Sequence, residues 1–389
     1  MPEEGEYTFM VQPVLSGGSE GGGSIRIDGQ SVARSGGPGF GGTGRVSRKW
    51  SGLLPTTDGR DNARGSVHLA VGPHRVAFSA QSIGDGPLRI RFAWIAPAMR
   101  RAGIDAAVNA AKAARTAVVF AWSVPGGDSL ELPEDQDDLI AKVAAVNPRT
   151  IVVLNTGGPV AMPWIARVPA ILEMWYPGQE GGWATADLLL GRANPSGRLP
   201  VTFPVRLEDA PARAAGHPER VPVTAAPGAT GVNPNPPAVE FSEGLAVGYR
   251  WYDERNIQPL FPFGHGLSYT RFEYSDLEVK PSGDGADVAF TVRNLGPVRG
   301  AEVAQIYLAP PASPPVPMPP RVLVGFERVD LAAGAARRIA LHLNERAFSY
   351  WSTERHAWQV AEGERIVAIA ASSRDIRLEG RAPALSRSR

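Results

Sequence analysis

Two patterns of hydrophobic residues divide the chain. Towards both ends, apolar and polar residues alternate over short segments that are separated by Gly and Pro, which predicts strands and turns of the β-sandwich type. In the middle, continuous apolar runs of strand length alternate with stretches of helical spacing, which is typical of a mostly parallel sheet covered by helices. The chain is therefore predicted to be a multidomain protein that combines α/β and β domains.

The first β region is predicted over residues 1–97. Alternation indicates strands over 6–11, 23–29 and 88–94, and the second of them ends in an Asp28–Gly29 turn. A hairpin that bends at Gly72–Pro73 is predicted from two further alternating segments, residues 67–72 and 75–80.

The α/β region is predicted over residues 98–204. Its helices are expected at 104–114, 135–146 and 180–190, and its strands at 117–120, 150–154 and 170–175. Asn147–Pro148 ends the second helix, because a residue before proline is disfavoured in helical conformation.

Residues 205–271 separate the α/β region from a second β region. This segment begins without any hydrophobic periodicity and continues into motifs that are rich in aromatic residues. The segment is predicted to be a linker and an interdomain connection. Alternation then returns and predicts an immunoglobulin-like sandwich over residues 272–380, with strands at 287–293, 304–308, 338–343 and 365–370.

Composition excludes several classes of function. The 389 residues carry a net charge of +1 and no cysteine, so they offer no electrostatic reason to bind nucleic acid, no disulfide and no thiol chemistry. Six histidines are scattered without metal-ligand spacing, and Gly178–Gly182 lacks the lysine of a phosphate loop. No cofactor, metal, signal peptide or membrane span is predicted, and the compartment stays open.

Four motifs resemble one enzyme family. They are Glu243–Asp253 (EGLAVGYRWYD), Pro259–Tyr269 (PLFPFGHGLSY), Leu172–Gly182 (LEMWYPGQEGG) and Asn194–Pro204 (NPSGRLPVTFP). In this order they closely resemble glycoside hydrolase family 3, the β-glucosidase and β-xylosidase family, and the resemblance covers nearly the whole chain.

The resemblance implies a domain for each region. Residues 1–97 look like a protective-antigen-type β-sandwich cut at its N-terminal side, 98–204 like the α/β-sandwich domain, and 272–380 like the fibronectin type III-like domain. Nothing resembles the TIM barrel that carries the aspartate nucleophile and most sugar contacts in this family. The chain is therefore expected to be a C-terminal piece of a longer enzyme, or a subunit with a separate barrel partner.

The resemblance also implies where the proton donor of a retaining glycosidase is expected. Such enzymes use two carboxylates about 5 Å apart, and the donor glutamate of the family lies in a loop that corresponds to residues 121–136. This loop keeps Trp122, Asp128 and Gln136 of the family pattern, but Ser123 and Pro125 stand at its glutamate positions. Neither residue can protonate a leaving oxygen.

Four residues are the candidate site residues. Asp128 and Glu131 are the substitutes for the missing acid, and Trp122 and Asp28 are candidates for sugar contact. The alternative is structural for each: Asp128 and Glu131 as loop and helix-entry carboxylates, Trp122 as a packed aromatic side chain, and Asp28 as a hairpin turn residue.

Three hypotheses follow. The first is a β-glucosidase-like enzyme by lineage that acts on a β-glucoside or oligosaccharide with retention, and that is inactive as this chain alone. The second is a non-catalytic carbohydrate-binding or accessory protein. The third is a subunit that complements a separately encoded barrel.

Overall fold

The computed structural model describes residues 1–14, 20–35, 63–83, 89–123, 130–211 and 241–385. These residues divide into two compact units, the described part of residues 1–178 and residues 179–211 with 241–385. Within these ranges no helix is both long enough and apolar enough to cross a membrane.

The first unit begins with antiparallel strands. They are β1 (Gly5–Val14), β2 (Glu20–Ile27), β3 (Gln30–Ser35), β4 (Ala63–Leu69), β5 (Val76–Ile83) and β6 (Arg89–Ile95). They form two three-stranded sheets, in the orders β4-β1-β6 and β3-β2-β5. Every second residue of β1 and β2 points into one shared core, which contains Tyr7, Phe9, Val11, Ile25 and Ile27. The period-two pattern therefore predicted correctly which face of β1 and β2 contributes apolar side chains to the core.

The two predicted turns of this region have different outcomes. The Asp28–Gly29 turn is confirmed, because Ile27 pairs with Gln30 and both turn residues have positive φ, 49° and 85°. The hairpin at Gly72–Pro73 is wrong. β4 pairs with β1 and β5 pairs with β2, so this turn carries the chain from one sheet to the other. Alternation shows that a segment is a strand, but it does not show which strand is its neighbour.

An α/β layer completes the described part of the first unit. Its elements are α1 (Pro97–Ala113), β7 (Ala117–Trp122), α2 (Gln136–Val146), β8 (Thr150–Asn155) and β9 (Ala170–Glu173). The strands are parallel in the order β7-β8-β9, as predicted, and Val152, Val153 and Leu154 are fully buried. Asn147 donates from Nδ2 to Ala111 O (2.9 Å) and Ala114 O (3.1 Å), so its side chain satisfies carbonyls at the end of α1.

The described part of the second unit contains two α-helices and a β-sandwich. The elements are α3 (Gly181–Leu189), α4 (Tyr249–Glu254), β10 (Phe272–Ser282), β11 (Gly285–Asn294), β12 (Gly300–Leu308), β13 (Val322–Leu331), β14 (Ala336–Leu343), β15 (Ser349–Ser352), β16 (Ala357–Val360), β17 (Arg365–Ala370) and β18 (Ile376–Ala382). The sheets have the orders β10-β11-β14 and β13-β12-β17-β18, and β15 and β16 form a hairpin. The four predicted strands lie within β11, β12, β14 and β17, and their inner residues share one core.

The motif segments 194–204 and 259–269 are bound to each other in this unit. Leu199 N donates to His265 O (2.9 Å), Gly264 N donates to Leu199 O (2.8 Å), and Phe203 pairs with Phe261. At Gly266 a Cβ atom would lie 2.4 Å from Gly197 O, so only glycine allows this close approach. These motif residues therefore have a structural role.

A histidine between two aspartates joins β11 to β14. His342 Nδ1 lies 2.7 Å from Asp287 Oδ1, and its Nε2 lies 2.9 Å from Asp284 Oδ1. The hydrogen bond with Asp284 raises the pKa of His342 most, and the hydrogen bond with Asp287 raises it further, because only the imidazolium can donate from both nitrogens.

The pKa of His342 can be tested by removing either negative charge. We expect Asp284→Asn and Asp287→Asn each to lower the titration midpoint of His342, as measured by NMR. Asp330→Asn, which removes a carboxylate of another ion pair, should leave the midpoint unchanged, and equal midpoints in all variants would contradict the assignment.

Candidate active site

The carboxyl end of the parallel sheet is the candidate site, because ligands of open α/β sheets bind beyond the carboxyl ends of their strands. β7 ends at Trp122, β8 at Asn155 and β9 at Glu173. The predicted donor loop follows β7. Asp128 and Pro125 lie outside the described residues, whereas Trp122, Ser123 and Glu131 are described.

Ser123 joins the segments that follow the three strands. Its Oγ accepts a hydrogen bond from Gly157 N (3.0 Å) and lies 3.2 Å from the hydroxyl of Tyr176. A Cβ atom at Gly157 would lie 2.8 Å from the Tyr176 ring, so the glycine allows the ring to approach. Tyr176 itself is 45% exposed. The hydroxyl groups of Ser123 and Tyr176 thus lie at the carboxyl edge of the sheet, where the segments that follow the three strands pack closely together.

Gln136 connects the end of β7 to the start of α2. Trp122 N donates to Gln136 Oε1 (2.7 Å), and Gln136 Nε2 donates to Trp122 O (2.9 Å) and Pro133 O (2.9 Å). The family glutamine of the sequence pattern therefore fixes the backbone at both ends of the loop. Trp122 is half-buried at this position.

Glu131 lies on the outer side of the loop. It is exposed and the next residue, Leu132, is 4% exposed, as the Leu-Xaa-Leu alternation predicts. The backbone at Leu130 is fixed, since its carbonyl accepts from Ala161 N (2.7 Å). A role of Glu131 as substitute acid stays a prediction.

Glu173 is a carboxylate of this edge that the sequence analysis missed. Its Oε1 accepts from Trp175 N (2.8 Å), and its Oε2 lies 3.0 Å from Thr156 Oγ1. Burial raises the pKa of Glu173 to about 7. Trp175 has a φ of 54°, a left-handed conformation that this hydrogen bond supports. The signal in the sequence was a glutamate at the end of a continuous apolar strand, two residues before the Trp-Tyr-Pro-Gly motif.

Asp28 is placed in another sheet, in the turn between β2 and β3. Its Oδ2 lies 2.6 Å from His74 Nδ1, and its Oδ1 accepts from Arg75 N (2.8 Å). The hydrogen bond with His74 lowers the pKa of Asp28, so the carboxylate is ionised and holds the turn. Sugar contact by Asp28 stays a prediction.

Among the described residues, metal ligands are not assembled at this edge. Within the described ranges, no group of three or more His, Asp or Glu side chains is arranged to hold a metal ion. Asn155 ends β8 with a side chain that is 2% exposed, and its Nδ2 has no hydrogen-bond acceptor among the described residues. The polar groups available at the edge are therefore hydroxyls, amides and carboxyls.

Two family models match the chain. The glycosyl hydrolase family 3 C-terminal domain matches residues 43–269, which is more than half of the sequence. The chain belongs to glycoside hydrolase family 3. The fibronectin type III-like domain matches residues 302–373, within the second sandwich. The resemblance from the four motifs and the fold class of α/β and fibronectin type III-like domains are thereby confirmed.

Relatives of this family 3 chain are β-glucosidases by name. Thermostable β-glucosidase B of Acetivibrio thermocellus is 42% identical over 289 residues, 71% of this chain and 36% of that protein. Probable β-glucosidase I of Aspergillus terreus is 34% identical over 396 residues, 96% of this chain and 44% of that protein. The family 3 chain thus spans less than half the length of these relatives.

Solved structures agree with the fold. DesR, a β-glucosidase from Streptomyces venezuelae in complex with D-glucose, superimposes with a TM-score of 0.75 at 35% identity, over 99% of this chain and 45% of that one. A Kluyveromyces marxianus β-glucosidase in complex with glucose gives 0.69 at 26% identity, over 99% and 44%. The described residues contain no closed barrel; all their sheets are open.

Proposed function

We propose that this chain is the C-terminal part of a β-glucosidase-type enzyme of family 3. It would act with retention on terminal β-linked glucosyl or related residues, but would not hydrolyse them alone. The observation that carries the proposal is the match of residues 43–269 to the family model of the C-terminal domain. The Aspergillus terreus and Streptomyces venezuelae proteins align with nearly all of this chain, which covers only 44% and 45% of their lengths. We propose that a separate barrel supplies the nucleophile.

The chemistry of the candidate edge supports a sugar-facing role without an ordinary proton donor. Hydroxyls and half-exposed aromatic side chains, as at Ser123 and Tyr176, can hydrogen-bond and pack against a sugar. Ser123 stands where the family pattern has a glutamate, and a serine hydroxyl cannot act as a general acid near neutral pH. Asp128 and Glu131 remain the proposed substitutes.

We expect the purified chain to give no turnover of an aryl β-glucoside above the buffer rate. Hydrolysis should appear when a separately produced family 3 barrel domain is added. Release of the aryl group measures both reactions. The reason is that retaining hydrolysis needs two carboxylates about 5 Å apart, and the proposal assigns the nucleophile to the other chain.

Alanine variants of Asp128 and Glu131, together with a glycan-binding measurement, distinguish an inactive chain from an active enzyme and from an accessory protein. Turnover by the chain alone that is lost in Asp128→Ala or Glu131→Ala would contradict the proposed inactivity and would assign the acid. Glycan binding without hydrolysis, in the presence and absence of the barrel, would favour an accessory carbohydrate-binding protein. The Asp138→Asn variant, on the exposed side of α2, serves as the control for a charge change in the same layer.

We propose the domain boundaries that the sequence predicts. They are a protective-antigen-type sandwich over 1–97, the α/β-sandwich domain over 98–204, a linker and interdomain segment over 205–271 and the fibronectin type III-like domain over 272–380.

The sugar and the linkage that the enzyme prefers are to be determined with a panel of aryl glycosides, in the presence of both this chain and the added barrel domain.

A further inference from the structure

The hydrogen-bond pattern at Glu173 requires more protons than an ionised carboxylate provides. The Thr156 hydroxyl oxygen lies 2.8 Å from Gly158 O and 3.0 Å from Glu173 Oε2. Gly158 O can only accept, and a hydroxyl has a single hydrogen to donate. If Glu173 were ionised, one of these two acceptors would receive nothing from Thr156. If Glu173 is protonated on Oε2, Glu173 donates to Thr156 and Thr156 donates to Gly158.

The surroundings of Glu173 are consistent with the neutral form. Burial is the largest influence on its pKa, and it is opposed only by hydrogen bonds from Trp175 N, the Thr156 hydroxyl and Thr156 N. Among the described residues, no positively charged side chain contributes to the pKa of Glu173. Among the described residues, the titratable side chains in the segments around this end of the sheet include Tyr176 after β9, Glu131 and Asp135 before α2, and Asp137 in the first turn of α2. Asp135 is paired with Arg100 (2.7 Å).

We propose that Glu173 is protonated in the folded protein and is a positioning residue, whose carboxyl donates to Thr156 and thereby sets the shape of the segment after β8. Thr156 is fully buried, so its hydroxyl cannot turn to solvent. The next residue, Gly157, donates to Ser123, and this connects the proton of Glu173 to the hydroxyl-bearing edge. The proton assignment rests on this geometry, and only its effect on a sugar rests on the proposed function.

Loss of the proton to solvent should rearrange this segment. The carboxylate then competes with Gly158 O for the single hydrogen of Thr156, and a charge-assisted hydrogen bond is the stronger of the two. The Gly158 carbonyl is released and the Gly157–Gly158 backbone becomes free to move.

The test is a pH titration of the full chain by NMR, with 13C-labelled glutamate carboxyls and 15N-labelled backbone. We expect the Glu173 resonance, assigned by its loss in Glu173→Gln, to titrate with a midpoint of about 7 instead of the ordinary 4.5. The Gly157 and Gly158 amides should shift with the same midpoint. In Glu173→Gln they should stay at the low-pH positions of the unmodified protein at every pH, because the amide donates to Thr156 as the acid does.

Conservative variants separate positioning from simple stability. In Thr156→Val the Gly158 amide should no longer follow the Glu173 titration, and Thr156→Ser should restore the connection. Glu134→Gln, an exposed carboxyl before α2, should leave both midpoints unchanged. A Glu173 midpoint near 4.5, or Gly158 amides that titrate equally in Thr156→Val, would overturn the proposal.

Stability gives a second readout with a defined sign. The pKa of Glu173 is higher in the folded protein (about 7) than in the unfolded chain (4.5), so the folded state binds this proton more tightly. Its stabilisation is complete below pH 4.5 and is lost as the pH rises to about 7. The unfolding midpoint of the unmodified protein should fall over this window relative to Glu173→Gln. Neither readout needs hydrolysis, so failure of the mixing experiment contradicts the proposed function only, and a failed titration contradicts this inference only.

Discussion

Replacing Asp253 with alanine should lower the free energy of unfolding of the second unit by about 3–5 kcal/mol. The Asp253 side chain is 2% exposed and lies 2.7 Å from Arg374 Nε and 3.2 Å from Arg321 Nε. Its removal leaves two largely buried guanidinium groups without a counter-charge. Arg374 also donates to Tyr252 O and Ile257 O, so its position fixes the end of α4 and the chain that follows.

Asp330 provides the matched control for this prediction. It pairs with Arg299 at 3.0 Å, but both side chains are solvent-exposed. Asp330→Asn should change stability by no more than about 0.5 kcal/mol, as exposed pairs contribute little. Thermal unfolding measures both variants, with roughly 2–4 °C per kcal/mol for a unit of this size. Equal effects of Asp253→Ala and Asp330→Asn would show that burial of the Asp253 charge is not important for the fold.

Replacing Glu302 with glutamine should have an effect of the same order, about 3–5 kcal/mol. Arg198 NH2 donates to both Glu302 oxygens at 2.9 Å, and the two side chains are 8% and 6% exposed. Tyr274 OH also donates to Glu302 Oε1 (3.1 Å). Glutamine retains the shape but removes the charge, so Arg198 stays buried without a counter-ion. The pair joins the Asn-Pro-Ser-Gly-Arg motif to β12.

A paired substitution tests whether the charge or the packing is responsible. Arg198→Met combined with Glu302→Leu should recover part of the loss, because a buried pair replaced by apolar residues of similar volume is often neutral. Glu327→Gln is the exposed control, since Glu327 lies 3.9 Å from Arg337 at the surface of the unit. A double variant less stable than Glu302→Gln alone would contradict this explanation.

The sequence predicts segments of regular structure better than their pairing. Alternation at Tyr7, Phe9 and Val11 reflects the apolar face of β1 that packs into the core, and this local property can be read from neighbouring residues. The partner of β4 cannot be read in that way, because β1 is remote in sequence and the Gly72–Pro73 turn suits a hairpin as well as a crossing between sheets. Pairing depends on cores that only the folded chain brings together.

The sequence indicates the loop after β7, but it does not indicate the carboxyl group of Glu173 at the same edge of the sheet. Gln136 and the Trp122 backbone lie together, as expected of a family loop, because long motifs retain the contacts that fix them. Glu173 was missed, since burial raises its pKa, and the Thr156 hydroxyl that it contacts follows a different strand. A pattern along one strand contains no information on such a neighbour.

The position of β1 at the centre of its sheet has a consequence for synthesis on the ribosome. Its hydrogen-bond partners are β4 and β6, and Phe9 pairs with Gly65 on one side and with Trp94 on the other. The nascent β1 therefore leaves the ribosome before either of its hydrogen-bond partners has been synthesised, and its sheet cannot be completed until residues 89–95 have left the exit tunnel. Such late closure favours slow folding and early chaperone binding.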